Sequence, residues 1–173
     1  MTFNAEVSFT HIIAAFALLG LLVSYRQLRL AQQANRARLI IDLSNWFTTN
    51  EKERKFFYRL DYSGRSDAFR FVPEEFPGSD DEHHLDSLLY KLSHVGALVR
   101  DGAIRLRDLG WLHSIADIVL RNRQVHAYLD WIKTPGQIPG HRSFANAVYL
   151  YTRLHKDDPG DTSLDALNRY LAG

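Results

Sequence analysis

The sequence predicts an all-α protein: an apolar N-terminal transmembrane helix, a stalk that continues it, and a compact bundle of about five helices. Three observations carry this. The run VSFTHIIAAFALLGLLVSY, Val7 to Tyr25, contains no Asp, Glu, Lys or Arg. Beyond it, apolar residues recur at three- and four-residue steps, and no stretch keeps the period of two that a strand requires. Asn and Ser caps, Pro-Gly pairs and single glycines punctuate those steps where helices should start and stop.

The apolar run comes first. A helix over residues 7–25 is about 28 Å long, close to the ~30 Å hydrocarbon core of a bilayer. Ser8, Thr10 and His11 lie near its start, at headgroup depth, and Tyr25 and Arg26 close it as interfacial anchors do. A cleaved signal peptide would need a basic start and a small-residue cleavage site, whereas this chain starts MTFNAE and leaves the run as SYRQLR. A peripheral amphipathic helix needs a polar face, which the run lacks. A buried core helix is the remaining competitor, because the strictly apolar stretch Ile12 to Val23 is short.

Arg26, Arg29, Arg36 and Arg38 follow the run and no basic residue precedes it. The positive-inside bias then places residues 1–6 outside and the body in the cytoplasm, with the arginines beside anionic headgroups. Gly20 and Ser24 form one small-xxx-small pair, a weak signal for helix pairing. Residues 26–38 lack Pro and Gly and are rich in helix formers, so the helix is expected to continue as a basic juxtamembrane stalk. The helical domain is expected over residues 39–173, with Leu39, Leu43, Trp46 and Phe47 as its first apolar stripe.

Composition limits what this domain can be. Of 173 residues 46% are hydrophobic and 12% aromatic, enough for a packed core. There is no cysteine, which excludes disulfides, thiolate metal sites and a cysteine nucleophile. The net charge of +1 conceals a basic stalk and a slightly acidic body, so the body offers no broad surface for nucleic acid.

Within the domain, Asn50 caps a helix beginning EKERKFF, whose first-turn acids suit the helix dipole and whose charge run reads as a solvated face. Residues 61–79 read as a loop stapled down by Phe69, Phe71, Val72 and Phe76. The same aromatic loop is a candidate partner surface. Ser79-Asp80-Asp81-Glu82 has capping-box spacing and opens a leucine-rich helix that ends at Gly102. Leu106–Leu120 is expected to be helical, restarting near Asn122 and running to Ile132. A helix from Ser143 to about His155 and a short one after Thr162 or Ser163 complete the chain.

Few residues point to chemistry. The cluster DDEHHLD, Asp80 to Asp86, has spacings that can ligate a metal, but its acids also suit a helix start. His113, Asp117 and Arg121 step by four along one helix, as a proton relay or as ordinary ion pairs. His141 and Arg142 could bind an anion at a helix start. Arg121-Asn122-Arg123-Gln124-Val125-His126 resembles the arginine–polar–x–x–x–histidine signature of the HEPN ribonucleases, small helical domains that dimerise. That resemblance implies Arg121 and His126 as catalytic and Asn122 as orienting: the guanidinium would hold phosphate and the imidazole would move protons. No phosphate loop, nucleophile elbow or histidine–glutamate zinc motif is present, so no cofactor or metal is expected.

Taken together, YRQLRLAQQANRARLIIDL, NEKERKFFYRLDY, FPGSDDEHHLDSLLYKLSHVGALVRDG, YLDWI and QIPGHRSF resemble an uncharacterised bacterial family of single-pass membrane-anchored helical proteins, classed as a domain of unknown function. The resemblance implies the architecture and location at the inner (plasma) membrane. It implies no activity. The leading expectation is an interaction or scaffold module that binds a protein partner or itself at the bilayer, with the ribonuclease as its rival.

Overall fold

The computed structural model describes residues 3–62, 66–134, 144–156 and 162–172. Among them the regular structure is entirely helical. The long α1 spans Phe3–Thr48. It is followed by α2 (Glu51–Asp61), α3 (Asp80–Arg100), α4 (Leu112–Leu120), α5 (Arg123–Ile132), α6 (Ala145–Leu154) and α7 (Thr162–Ala172). The chain falls into two compact units, Met1–Ile41 and Asp42–Gly173.

The first unit is helix throughout its described length, and the apolar run passes into residues 26–38 without a break, as the lack of Pro and Gly predicts. Among the described residues one helix is long and apolar enough to cross a membrane, and none of its most apolar window is buried. Phe16, Leu18, Leu19, Leu21, Leu22 and Val23 are each 52–71% exposed. Successive residues on a helix point about 100° apart, so these side chains are apolar on every face.

Among the described residues of the second unit six α-helices follow α1, where about five were expected. The additional helix is α5, which stands apart from α4 at the restart expected near Asn122, and Leu106–Leu120 is itself not one helix. Leu106–Leu109 forms a single 3-10 turn, and α4 begins only at Leu112 after Gly110 and Trp111. Arg121 then ends α4, and Asn122, in extended geometry, restarts the chain as α5. Residues 135–143 and 157–161 and Gly64 lie outside the described residues, and with them His141 and Arg142.

Helix α3 is the spine. Its Leu85, Leu88, Leu89, Leu92 and Val95 are buried, and it packs most extensively on α6. The two approach closely at Gly96, where an added Cβ would lie 2.0 Å from the Asn146 carbonyl oxygen. No side chain fits that gap, so glycine sets the helix spacing. Ser93 sits beside it and its Oγ accepts from Ala147 N–H at 3.2 Å. The first turn of α6 has no side-chain cap of its own, and α3 supplies one from across the interface.

The caps read at Asn50 and Ser79 are present, whereas Thr162 and Ser163 lie inside α7 and not before it. Asn50 Oδ1 accepts from Lys52 and Glu53 N–H, and Ser79 Oγ accepts from Glu82 N–H at 3.1 Å. The Glu82 carboxylate reaches back to Gly78 N–H at 2.6 Å, one residue before the donor a standard capping box uses. The Lys55 ammonium, hydrogen-bonded 3.0 Å from Glu51, holds that exposed carboxyl below its ordinary value. At the other end of the chain, burial raises the Tyr170 phenol above its ordinary value, while Phe144 N–H donates to its oxygen.

The EKERK run is not wholly solvated. Glu53 is buried, and its carboxylate accepts from Ser87 Oγ at 2.7 Å and pairs with the buried ammonium of Lys91. Lys91 also donates to the Trp46 carbonyl at 2.9 Å and lies over the Trp46 and Phe47 rings at 5.5 and 5.8 Å. The last turn of α1 carries no basic residue, so a lysine of α3 supplies the cation that its exposed carbonyls favour.

The loop after α2 is stapled as its aromatic content predicts. Phe69 and Phe76 are buried, and Phe71 packs on Phe76 and Tyr128 with ring centroids 5.1 and 5.6 Å apart. Phe69 N–H donates to the Arg59 carbonyl, and Phe71 N–H donates to Gln124 Oε1.

The buried pair yields a stability prediction. Lys91→Met leaves the buried Glu53 carboxyl without its counter-charge and is expected to destabilise the fold by about 3–5 kcal/mol. The double variant Lys91→Met/Glu53→Leu should recover much of that loss. Urea unfolding of the full chain in detergent micelles, followed by tryptophan fluorescence, measures both. A double variant no more stable than the single one would contradict the assignment.

Candidate functional site

An open cleft of about 630 Å3 lies where α2, the aromatic loop, α4 and α5 meet. Leu60 and Phe69 form its floor, and Asp61, Arg70, Asp117, Arg121 and Arg123 supply charge around it. Three guanidinium groups and two carboxylates on a solvent-open wall suit a polar or charged partner group.

One wall of this cleft is built from the four-residue steps of α4. Because residues four apart share a helix face, His113 Nδ1 lies 3.5 Å from Asp117 Oδ2, and Arg121 Nε lies 3.8 Å from Asp117 Oδ1. The tertiary fold adds two residues from α6 that the sequence reading did not connect to them. Tyr151 OH accepts from Arg121 Nε at 3.0 Å. His155, at the C-terminus of α6, brings its Nε2 to 2.7 Å from Asp117 Oδ1. That approach is close but lacks the alignment of a hydrogen bond. The His155 ring is tilted against both Tyr151 and His113, with centroids 4.3 and 4.4 Å away. Its side chain is only 3% exposed, against 26% for Asp117 and 46% for His113. Two imidazoles and a guanidinium thus converge on one carboxylate at the domain surface. Such a group can bind a cation or pass a proton between neighbours.

The other residues singled out in the sequence have these places. Arg121 and Asn122 line the cleft, while His126 is not among its lining residues. His126 Nε2 instead lies 2.6 Å from the Leu120 carbonyl, so the ring nitrogen donates to the end of α4. Asn122 is engaged at both ends of its amide: Oδ1 caps Gln124 N–H at 2.8 Å, and Nδ2 donates to the Leu60 carbonyl at 3.0 Å. In the DDEHHLD cluster, Asp81 pairs with Arg59 at 2.6 Å and Asp86 accepts from Tyr128 OH at 2.6 Å. His84 stacks on Phe56 and His83 is exposed. Phe69 and Phe76 are committed to the core, and Phe71 is half-buried. Tyr25 is exposed, with the Arg29 guanidinium 5.8 Å from its ring centroid; Arg26 and Arg38 are exposed and Arg36 is half-buried.

No family model, curated protein or solved structure matches this chain. The site is therefore defined by its own geometry.

Asn122 and His126 have structural partners that predict how their removal acts. Asn122→Ala removes the cap of α5 and a bond to α2, and should lower stability by about 1–2 kcal/mol. His126→Ala should cost about 1 kcal/mol. Denaturant midpoints of the full chain in micelles check both. An unchanged midpoint in Asn122→Ala would remove its role as the α4–α5 hinge cap.

Proposed function

We propose that this chain is a single-pass membrane protein whose helical domain serves as an interaction or scaffold module on the cytoplasmic face of the bacterial plasma membrane. The observation that supports it best is the unpacked apolar run at Phe16–Val23. A helix that is apolar all round is stable where its surroundings are apolar, and in a bilayer its backbone satisfies its own hydrogen bonds. The arginines on its C-terminal side favour that side facing the cytoplasm, and each contributes about 1 kcal/mol of attraction near anionic lipid. The Tyr25–Arg29 contact suits an interfacial pair, with the aromatic ring at headgroup level and the guanidinium in the phosphate layer.

The interaction reading draws on the cleft. Arg70 and Arg123 are exposed beside it and present charge outward, while Asn122 and His126 serve the helix ends. An open wall of mixed charge suits an acidic segment of a protein partner held at the same membrane.

Topology is tested with reporters. A C-terminal fluorescent fusion in a bacterial host should be bright and a C-terminal alkaline phosphatase fusion inactive, with the chain retained in carbonate-washed membranes. Phosphatase activity at the C-terminus would reverse the orientation, and release by carbonate would remove the anchor. The module is tested by crosslinking and pull-down from solubilised membranes. The proteins retained by the native chain should be lost in the charge-reversed Arg70→Glu/Arg123→Glu variant. The same retained set in both would exclude the cleft as the binding surface.

A further inference from the structure

We propose that His113, Asp117 and His155 form a binding site for one divalent transition-metal ion of the zinc class. Their ligand atoms, two imidazole nitrogens and a carboxylate oxygen, all lie within 4.8 Å of one another. Zinc bonds of ~2.0–2.1 Å at tetrahedral angles separate neighbouring ligand atoms by about 3.3 Å. His113 Nδ1 stands 3.5 Å from Asp117 Oδ2 and His155 Nε2 stands 2.7 Å from Asp117 Oδ1, so the two imidazoles flank the two oxygens of one carboxylate at separations near that value. Small side-chain rotations would place all three atoms around one ion.

The parts that must hold still and the parts that must move are distributed suitably. His155 is buried and wedged between Tyr151 and His113, so its ring orientation is set before an ion arrives. His113 is half-exposed, and it can turn about its side-chain bonds without disturbing the core. Asp117 stands one turn further along α4, so the helix itself holds the carboxylate beside the His113 ring. Three protein ligands leave a fourth position for water or a ligand atom, the arrangement of an open zinc site. Two imidazoles select a borderline metal over magnesium or calcium, which favour all-oxygen sets.

Arg121 bounds the affinity. Its guanidinium lies 3.8 Å from Asp117 Oδ1 and is turned toward the Tyr151 hydroxyl, which keeps it beside the carboxylate and outside the three-ligand set. Its charge opposes a cation there, so the site is expected to bind zinc reversibly rather than to depend on it for folding. The same three residues could form only an ion-paired network around Asp117, and the experiment separates the two.

Untagged full-length chain in detergent micelles, stripped with chelator, is titrated with Zn2+ by calorimetry and with Co2+ by visible absorption. The expected result is one zinc per chain with micromolar or tighter affinity, and cobalt absorption of tetrahedral intensity. His113→Ala and Asp117→Asn should each weaken binding by at least about tenfold, and His83→Ala should leave it unchanged. Both ligand variants alter side chains outside the core, and far-UV circular dichroism confirms that each is folded. His155→Gln adds the buried ligand where it folds. No zinc binding by the native chain, or equal binding by folded His113→Ala and Asp117→Asn, overturns the proposal and leaves the ion-paired network.

Discussion

The ammonium of Lys91 is nearly sealed from water, and the start of the domain is arranged to compensate for that burial. Taking a charge out of water costs several kcal/mol even after relaxation, so every direction around it must be filled. Glu53 supplies the counter-charge from α2, the Trp46 carbonyl accepts from the end of α1, and two aromatic faces close the remaining side. A single side chain of α3 therefore fixes the last turn of α1 and the first turn of α2. The loss of any partner strands a buried charge, which ties these three segments into one cooperative unit.

The same helix governs the far side of the core through absence rather than charge. Gly96 removes the side chain that would hold α6 away, and Ser93 then reaches the uncapped N-terminus of α6. Close approach strengthens dispersion contacts along the α3–α6 interface, and the serine hydroxyl accepts from the Ala147 amide, which also donates to the Phe144 carbonyl. Lys91 and Ser93 each place a polar group of α3 at the end of a neighbouring helix.

That arrangement also positions the surface cluster. Docking of α6 on α3 sets where α6 ends, and its terminal His155 is thereby delivered to the middle of α4. The early stop of α4 at Arg121 and the cap at Asn122 open the cleft beside it, because α5 leaves in a new direction. The charged wall and the His–Asp–His group are two consequences of the same helix junction.

Local chemistry was legible in the residues themselves. The apolar run, the caps at Asn50 and Ser79, the leucine steps of α3 and the His113–Asp117–Arg121 line depend on neighbours within about four positions, and these appear as read. The split of Leu106–Leu120 was harder to see. Its apolar spacing suits a helix, and only Gly110 marks where the turn ends and α4 begins. What the sequence alone could not determine was which distant side chain completes a local pattern. Glu53 read as solvated because its partner lies 38 positions away, and His155 joins Asp117 across the same separation. Hydrophobic periodicity reports which face of a helix is buried, but it carries no information about which helix will cover that face. Only the packing of α3 against its neighbours decided those pairings, because the charge and the histidine find their partners only after the core has closed.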